Sequence, residues 1–199
     1  ESVGGLRDFK GSVWEGGLRV PGIIEWPGQV KPQVTPYAAS TMDIFPTVAD
    51  LLGLPRDVML EPVDGSSLVS LFETAPERRN GAIPFRFFDR GAWIDYPLKL
   101  VATSVGDRQY ELYNLEEDPK ETTDMAARRP DVFAAMTAAF EAWNASVDAS
   151  VRGEDYPEDR VLPGEPEPHT WMSDPRYQPF IEAWKERREY RQRLIREGF

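Results

Sequence analysis

Three short strand-like segments followed by one long amphipathic helix constrain the fold of this chain more than any other part of its sequence. The segments are IPFRFF (83–88), LKLVAT (98–103) and QYELYNL (109–115), with a shorter candidate, AWI, at 92–94. The intervening SVGDR (104–108) places Gly-Asp between the second and third segments, which favours a hairpin there. The segments therefore predict a small antiparallel sheet.

The helix is predicted for RPDVFAAMTAAFEAWNASVDASV, residues 129–151. Pro130 fits its first turn, where the missing amide hydrogen costs little. Large apolar side chains recur at spacings of three and four, so one face of the helix is apolar and suited to cover the sheet. Strands followed by a covering helix indicate an α+β subdomain, which we place at residues 76–152. The apolar side chains are Phe133, Met136, Phe140, Trp143 and Val147.

The preceding residues, 1–75, predict a different kind of structure. Five glycines make residues 1–19 a predicted loop. RVPGIIEW (19–26) is a mostly apolar run closed by Pro-Gly, which favours a short strand buried on both faces. A helix is predicted within 40–55, where Asp43 or Ser40 can cap the N-terminus. The apolar stripe of this helix consists of Ile44, Val48, Leu51 and Leu52.

The last part of the chain, residues 153–199, changes character. Six prolines lie between positions 154 and 179 among few apolar residues, which predicts an extended arm or a linker. The end, FIEAWKERREYRQRLIREGF (180–199), predicts a charged helix. His169, the sole histidine, lies in the arm. It is a candidate substrate contact or general acid, although a surface or structural role is commoner for such a residue.

Composition excludes several classes of partner and chemistry. A net charge of −11 and a pI of about 4.7 make nucleic acid and anionic membranes unfavourable partners. No apolar run approaches the length of a membrane span. The absence of cysteine excludes disulfides, thiolate metal sites and a Cys nucleophile. The chain begins with Glu1 and a glycine-rich stretch rather than with Met, which predicts a fragment of a longer protein.

One cation stands out in the predicted loop. In LRDFKGSVWEGGLRVPGII (6–24), Lys10 lies among glycines, with no residue beside it that is an obvious ion-pair partner. A lysine in such a loop can act as a point charge on a phosphate or sulfate oxygen, and glycines allow close approach of the backbone to a ligand. The alternative is a solvated surface lysine, which is the commoner role of this residue type. The pattern is not a Walker loop, since no Gly-Lys-Ser/Thr is present.

Three stretches of this sequence resemble, in the same order, the C-terminal half of the sulfatase family. They are LRDFKGSVWEGGLRVPGIIEWPG, STMDIFPTVADLLGLP and YELYNLEEDPKET. The first matches the sulfatase pattern Lys-Gly-x-x-x-Glu-Gly-Gly-x-Arg-x-Pro, and the last matches Leu-Tyr-x-Leu and Asp-Pro-x-Glu. The resemblance covers residues 6 to about 127. It implies an α/β alkaline-phosphatase-like enzyme, with residues 1–75 as the end of its large α/β domain and 76–152 as the small antiparallel-sheet subdomain.

The resemblance also implies roles for the residues of the first motif. Lys10 would contact the oxygens of the substrate's sulfate and stabilise negative charge in the transition state, so that it is both a catalytic and a substrate-binding candidate. We assign structural support to Glu15, Gly16, Gly17 and Arg19. Arg19 would pin the loop with Glu15 as its partner, and the two glycines would allow the tight turn between them.

Sulfatases use a formylglycine nucleophile, made from Cys or Ser in a Cys/Ser-x-Pro-x-Arg motif, and a calcium ion. This sequence contains neither cysteine nor Ser-x-Pro-x-Arg. The acidic turn Glu116, Glu117 and Asp118 lacks the spacing of a calcium loop and favours a solvated turn, so no metal ligand is assigned. The resemblance thus implies calcium and formylglycine in a parent enzyme whose upstream part supplies both. We expect this chain alone to be inactive.

Two alternatives stay open at this point. A phosphonate or phosphodiester hydrolase of the same superfamily would handle an anion of similar charge and shape. A complete, non-catalytic module that binds a protein partner or a glycan is a second alternative. The main reading has two partners, a sulfate-ester substrate and the N-terminal part of the same enzyme.

Overall fold

The computed structural model describes residues 3–59, 61–73, 78–154 and 171–198. The chain divides into two compact units, Glu1–Glu158 and Asp159–Phe199. The first unit contains the predicted sheet and covering helix, together with the segment that carries Lys10. No helix in the described ranges is both long enough and apolar enough to cross a membrane.

The sheet of the first unit has four antiparallel strands that pair in sequence order. They are β1 (Ile83–Phe87), β2 (Arg90–Asp95), β3 (Leu98–Ser104) and β4 (Gln109–Asn114). The predicted small antiparallel sheet is confirmed, and so is the hairpin between its last two strands. The short candidate at 92–94 is the middle of a full strand, because β2 pairs along its length with both neighbours.

Helix α3 (Pro130–Val151) covers one face of this sheet, as predicted. Phe140 is fully buried and lies directly over Gly91, where an added Cβ would stand 2.4 Å from the Cζ of the phenylalanine ring. Only glycine allows the helix to approach β2 this closely. The buried cluster on this face consists of Leu100, Ala102, Leu112, Met136 and Phe140.

Residues from the N-terminal segment cover the opposite face of the sheet. Val13 and Trp14 form a buried cluster with Ala92, Val101 and Tyr113, which alternate along the strands with the residues that face α3. The small sheet is therefore buried on both faces, by a helix on one side and by the segment after Lys10 on the other.

Two predictions for residues 1–26 are corrected. The loop contains one helical turn, α1 (Glu15–Leu18), in place of irregular chain throughout. The predicted strand at 19–26 is not a strand: its backbone pairs with no other strand in the described residues, and Ile23 is 90% exposed. An extended segment without a neighbouring strand forms no ladder, so apolar composition alone does not make it a strand.

The predicted helix within 40–55 is present with a different buried face. It begins with a 3₁₀ turn, Thr41–Asp43, and continues as α2 (Ile44–Leu51). Pro46, Thr47 and Ala49 are its buried residues. The predicted apolar stripe instead points to solvent, because Ile44, Val48, Leu51 and Leu52 are all exposed.

The second unit is described from residue 171 to residue 198. Two 3₁₀ turns, Trp171–Ser173 and Gln178–Phe180, precede α4 (Ile181–Lys185) and α5 (Arg188–Arg196). The predicted terminal helix is thus two short helices. Their small core consists of Met172, Ile181 and Leu194, with Trp171, Trp184 and Tyr190 packed around it. Much of the predicted proline-rich arm lies outside the described residues.

Candidate functional site

Lys10 lies in an exposed turn between two residues with unusual backbone angles. Asp8 has φ +61° and Gly11 has φ +88°, so the chain reverses sharply on either side of the lysine. The Lys10 side chain forms no hydrogen bond or ion pair with another residue in the part of the chain that the structure describes. Its ammonium is therefore available to an anion that approaches from solvent.

The chain becomes buried immediately after this turn. Ser12, Val13, Trp14 and Glu15 all lose most of their exposure to the sheet beneath them. The ring of Trp14 meets that of Tyr113 edge to face, with centroids 5.8 Å apart. The Lys10 loop (residues 7–18) is thus exposed at its tip and anchored by apolar packing at its base.

Gly16 and Gly17 have a clear packing reason. The amide of Gly16 donates to the carbonyl of Arg7 at 2.8 Å, which closes the loop on itself. A Cβ on Gly16 would lie 2.2 Å from the carbonyl oxygen of Asp8, and one on Gly17 would lie 2.5 Å from that of Ser12. The turn of α1 presses against the loop that carries Lys10, and no larger residue fits between them.

The predicted pair between Glu15 and Arg19 is wrong. The Glu15 carboxylate accepts a hydrogen bond at 2.9 Å from the ammonium of Lys99, a residue of β3. Arg19 is exposed and forms no ion pair with another described residue. Glu15 lies on the inner side of α1 and faces the sheet, whereas Arg19 follows the last residue of the turn and points to solvent.

Lys99 also pairs with a second carboxylate. Its ammonium lies 2.7 Å from Oε1 of Glu121, and neither side chain has any exposed surface. The other carboxylate oxygen of Glu121 accepts the backbone amide of Glu15 at 2.7 Å. Burial raises the pKa of Glu121 above its ordinary value, and the Lys99 charge and the Glu15 amide only partly oppose this. One buried ammonium and two carboxylates thus hold α1 on the sheet.

Arg7 ties the start of the loop to the same place. Its guanidinium donates to the hydroxyl of Tyr113 at 3.1 Å and to the backbone carbonyl of Glu121 at 2.8 Å, and it lies 3.4 Å over the Trp14 ring. The Tyr113 hydroxyl donates in turn to Glu111 at 2.7 Å. Burial and that hydrogen bond raise the pKa of Tyr113, so the hydroxyl stays protonated.

Sequence reasoning missed Lys99, Glu121 and Arg7. A lysine as the second residue of the apolar segment LKLVAT was a usable signal, since a charged residue on a central strand is buried only with a partner. Glu121 belongs to the quoted Asp-Pro-x-Glu motif, but the motif alone does not reveal what its glutamate contacts.

Asp43 serves as a structural anchor. Its carboxylate accepts the amides of Ser40 and Ser66, each at 2.7 Å, and two hydrogen bonds from the guanidinium of Arg79 at 2.6 and 2.7 Å. Burial acts to raise the pKa of Asp43, but these hydrogen bonds outweigh it and hold the pKa below its ordinary value. Of the two predicted caps, Ser40 is the N-cap, and Asp43 completes its capping box by accepting the Ser40 amide. The pairing of Asp43 with Arg79 adds a link to the residues just before β1.

The described residues do not fit a calcium site. Within them, no three His, Asp or Glu side chains converge in a way that would hold a metal ion. In the acidic turn, Asp118 is occupied by the amides of Thr122 and Thr123 at 2.7 and 2.9 Å. The sequence lacks the Cys/Ser-x-Pro-x-Arg motif in which formylglycine is made. His169 lies outside the described residues.

A family model and several known proteins are similar to this chain. Residues 1–54 match the family model described as Sulfatase. Human arylsulfatase A is 31% identical over 186 residues, an alignment that covers 75% of this chain and 36% of arylsulfatase A. Rat steryl-sulfatase is 47% identical over 73 residues, which covers 35% of this chain and 12% of that protein. The chain spans about a third or less of the length of these relatives.

Solved structures show the same fold. One of them is described as "Metabolism of multiple glycosaminoglycans by bacteroides thetaiotaomicron is orchestrated by a versatile core genetic locus". It is 25% identical with a TM-score of 0.60, and the match covers 71% of this chain and 32% of that one. This likeness agrees with the predicted fold class, the C-terminal portion of an α/β alkaline-phosphatase-like fold with a small antiparallel sheet and a covering helix.

Proposed function

Because the chain belongs to the sulfatase family, we propose that it forms the C-terminal part of an enzyme that hydrolyses sulfate esters. The observation that carries the proposal is the state of Lys10, an exposed cation without a described partner, on a loop whose base is buried. Its ammonium would bind the oxygens of the sulfate group and orient the ester. It would also stabilise the negative charge that develops as the ester bond breaks.

The chain's own residues contribute binding and orientation in this proposal. Sulfatases use formylglycine and calcium, and neither the sequence nor the described residues offer the groups for them. We assign both to the remainder of a longer protein, of which this chain would be about a third by the length of its relatives. The isolated chain is accordingly expected to be inactive.

The exposed apolar side chains of residues 20–58 support the second partner in this proposal. Twelve large apolar residues there are at least 40% exposed, and a large exposed apolar surface marks a site of contact with another protein surface. We propose that this apolar segment packs against the N-terminal part of the same enzyme, as the end of its large α/β domain. These residues are Val20, Ile23, Ile24, Trp26, Val34, Ile44, Phe45, Val48, Leu51, Leu52, Leu54 and Val58.

The test uses the full-length protein that contains this chain and an aryl sulfate ester. Replacement of Lys10 by Ala should lower kcat/KM by about 10²–10³-fold, as for removal of one group that stabilises transition-state charge. Arg128→Ala is the control, because Arg128 is also an exposed cation and lies outside residues 20–58. An unchanged kcat/KM in Lys10→Ala would contradict the proposal.

A second substrate in the same assay separates the proposal from its superfamily alternative. A lysine binds sulfate and phosphonate oxygens by the same point-charge chemistry, so the aryl phosphonate of the same leaving group is the proper comparison. A full-length protein that turns over the phosphonate faster than the sulfate would be a phosphonate hydrolase. His169→Ala belongs in the same series, since we retain His169 as a second candidate contact to the substrate.

A further inference from the structure

Glu121, the glutamate of the Asp-Pro-x-Glu motif, has an unusual conformation for a buried charged residue. Its φ is +54°, in the left-handed region that non-glycine residues rarely occupy, and its side chain is fully buried. Such a conformation costs of order 1–3 kcal/mol and persists only where the surrounding structure enforces it. Contacts with the surrounding structure must therefore stabilise this backbone conformation of Glu121.

The contacts of Glu121 lie on both sides of Lys10. Its backbone carbonyl accepts the guanidinium of Arg7 at 2.8 Å, before the lysine, and its carboxylate accepts the amide of Glu15 at 2.7 Å, after it. A single residue of the motif that follows β4 thus binds both ends of the loop.

The surrounding turn fixes Glu121 in this position. The side chain of Asp118 accepts the amides of Thr122 and Thr123, and the Asp118 carbonyl accepts the amide of Glu121 at 3.1 Å. These bonds shape the turn around Glu121 and favour its left-handed backbone. Lys99 then holds the carboxylate from the sheet side at 2.7 Å.

We propose that Glu121 is the positioning residue of the Lys10 loop. Its backbone carbonyl binds Arg7 and its carboxylate binds the amide of Glu15, and these contacts set where the lysine meets the sulfate. The inference rests on the proposed function of Lys10 and extends it to the second sulfatase motif. Glu121 touches no substrate and acts only through the loop. Misplacement of a catalytic group by about 1 Å can cost about 10²-fold in rate. Contacts that hold the Lys10 loop in position can therefore affect the rate strongly, although they do not touch the substrate.

A carboxylate is the side chain that suits both neighbours of Glu121. One oxygen accepts the amide of Glu15 and the other meets the ammonium of Lys99. Glutamine has only one acceptor oxygen, and its NH₂ group would face either the amide or the ammonium, both of which are donors. Glu121→Gln therefore removes one of the two contacts without changing the size of the side chain, and Glu121→Ala removes both.

The experiment measures kcat in the full-length enzyme for Glu121→Ala and Glu121→Gln, with Glu117→Gln as control, because Glu117 is an exposed glutamate of the same turn. Each is made in the wild type and in Lys10→Ala. Glu121→Ala should lower kcat by at least ~10-fold in the wild type and by less than ~2-fold once Lys10 is absent, since the two residues act as one unit. Glu117→Gln should change neither. An equal loss in both backgrounds, or no loss in the wild type, would overturn the inference.

Hydrogen exchange keeps the inference testable apart from catalysis. The amides of Glu15–Leu18 should exchange at least ~10-fold faster in Glu121→Ala than in Glu117→Gln, because α1 loses its grip on the sheet. If Lys10→Ala leaves kcat unchanged, the proposed function fails, and exchange alone then decides whether Glu121 anchors the loop. Unchanged exchange would overturn the anchoring. If Glu121→Ala does not fold, the same comparisons are read from Glu121→Gln.

Discussion

The carboxylate of Asp43 and the guanidinium of Arg79 form a two-point ion pair, with side chains that are 0% and 5% exposed. The pair joins the start of α2 to the residues that lead into β1. A buried ion pair is costly to break, because removal of one partner leaves an uncompensated charge away from water.

We expect Asp43→Asn to lower the free energy of unfolding by about 3–5 kcal/mol at pH 7. The matched control is Asp95→Asn, since Asp95 pairs with Arg78 at 2.9 Å with both side chains largely exposed. An exposed pair of that kind contributes about 0–1 kcal/mol. Chemical denaturation of both variants gives the comparison, and equal losses would contradict the structural role of the Asp43 pair.

Acid should remove the advantage that Asp43 provides. Its folded-state pKa lies below the ordinary value of 3.8, so its contribution to stability is present above pH 3.8 and is lost as pH falls through the folded pKa. The difference in unfolding free energy between wild type and Asp43→Asn should therefore shrink in strong acid. If the difference stays constant from neutral pH into strong acid, protonation of Asp43 is not coupled to folding, and the prediction is contradicted.

Glu121 should show the opposite dependence. Its folded-state pKa is raised above the ordinary 4.5, so its contribution is complete below pH 4.5 and is lost as pH rises through the folded pKa. The stability of wild type relative to Glu121→Gln should fall over that window, by at most about 1.4 kcal/mol per pH unit. Denaturation curves across this range provide the test, and a relative stability that rises with pH would contradict it.

Lys99→Met should be strongly destabilising, although methionine is similar in length and suits a buried strand. The substitution leaves Glu15 and Glu121 buried together without a cation, and we expect a loss of about 3–5 kcal/mol. Lys31→Met, at an exposed position, should have little effect on the unfolding free energy. A small loss for Lys99→Met would mean that water or another group reaches the two carboxylates.

Gly16→Ala should lower the activity of the full-length enzyme. The new methyl group would stand 2.2 Å from the Asp8 carbonyl, so the loop tip must move away from α1. Overpacking of this kind costs about 1–3 kcal/mol. Gly106→Ala is the control, since the one atom near a Cβ there is a side-chain oxygen of Asp89 at 3.3 Å, and Gly106 lies outside residues 20–58. Equal kcat values for the two variants would show that the loop tolerates displacement.

The apolar segment of residues 20–58 predicts opposite effects in two forms of the protein. Ile23→Lys should reduce self-association of the isolated chain, because it places a charge on an exposed apolar residue, and should lower the Tm of the full-length enzyme. Val151→Lys, at the exposed end of α3, should change neither. Light scattering and thermal unfolding measure the two effects. An unchanged Tm would mean that Ile23 is exposed in the full-length protein as well.

The parts of the fold that could be predicted from sequence have partners close along the chain. The strands between 83 and 114 pair with their immediate neighbours, and the periodicity of α3 identifies the face that meets them. The strand expected at 19–26 and the inward stripe of α2 failed for one reason. The first segment would need a neighbouring strand to pair with, and the second would need an apolar surface to cover it. Neither is found among the described residues.

The candidate site could likewise be predicted only where its features are local in sequence. Lys10 stands out locally, because its glycine-rich surroundings are visible in a few letters of sequence. The partner of Glu15 does not, since Lys99 is 84 positions away and a nearer arginine at 19 looked suitable. Which residue pairs with a buried carboxylate is decided by the packing of α1 against β3, and no local pattern carries that information.

The covering of the small sheet by the Lys10 loop has a consequence for recombination between relatives. A breakpoint placed between the loop and the sheet would leave Val13, Trp14 and Glu15 against side chains that did not evolve with them. A viable chimera must exchange residues 7–18 together with the strands and the Asp-Pro-x-Glu turn. The smallest inheritable module around the lysine is therefore discontinuous in sequence.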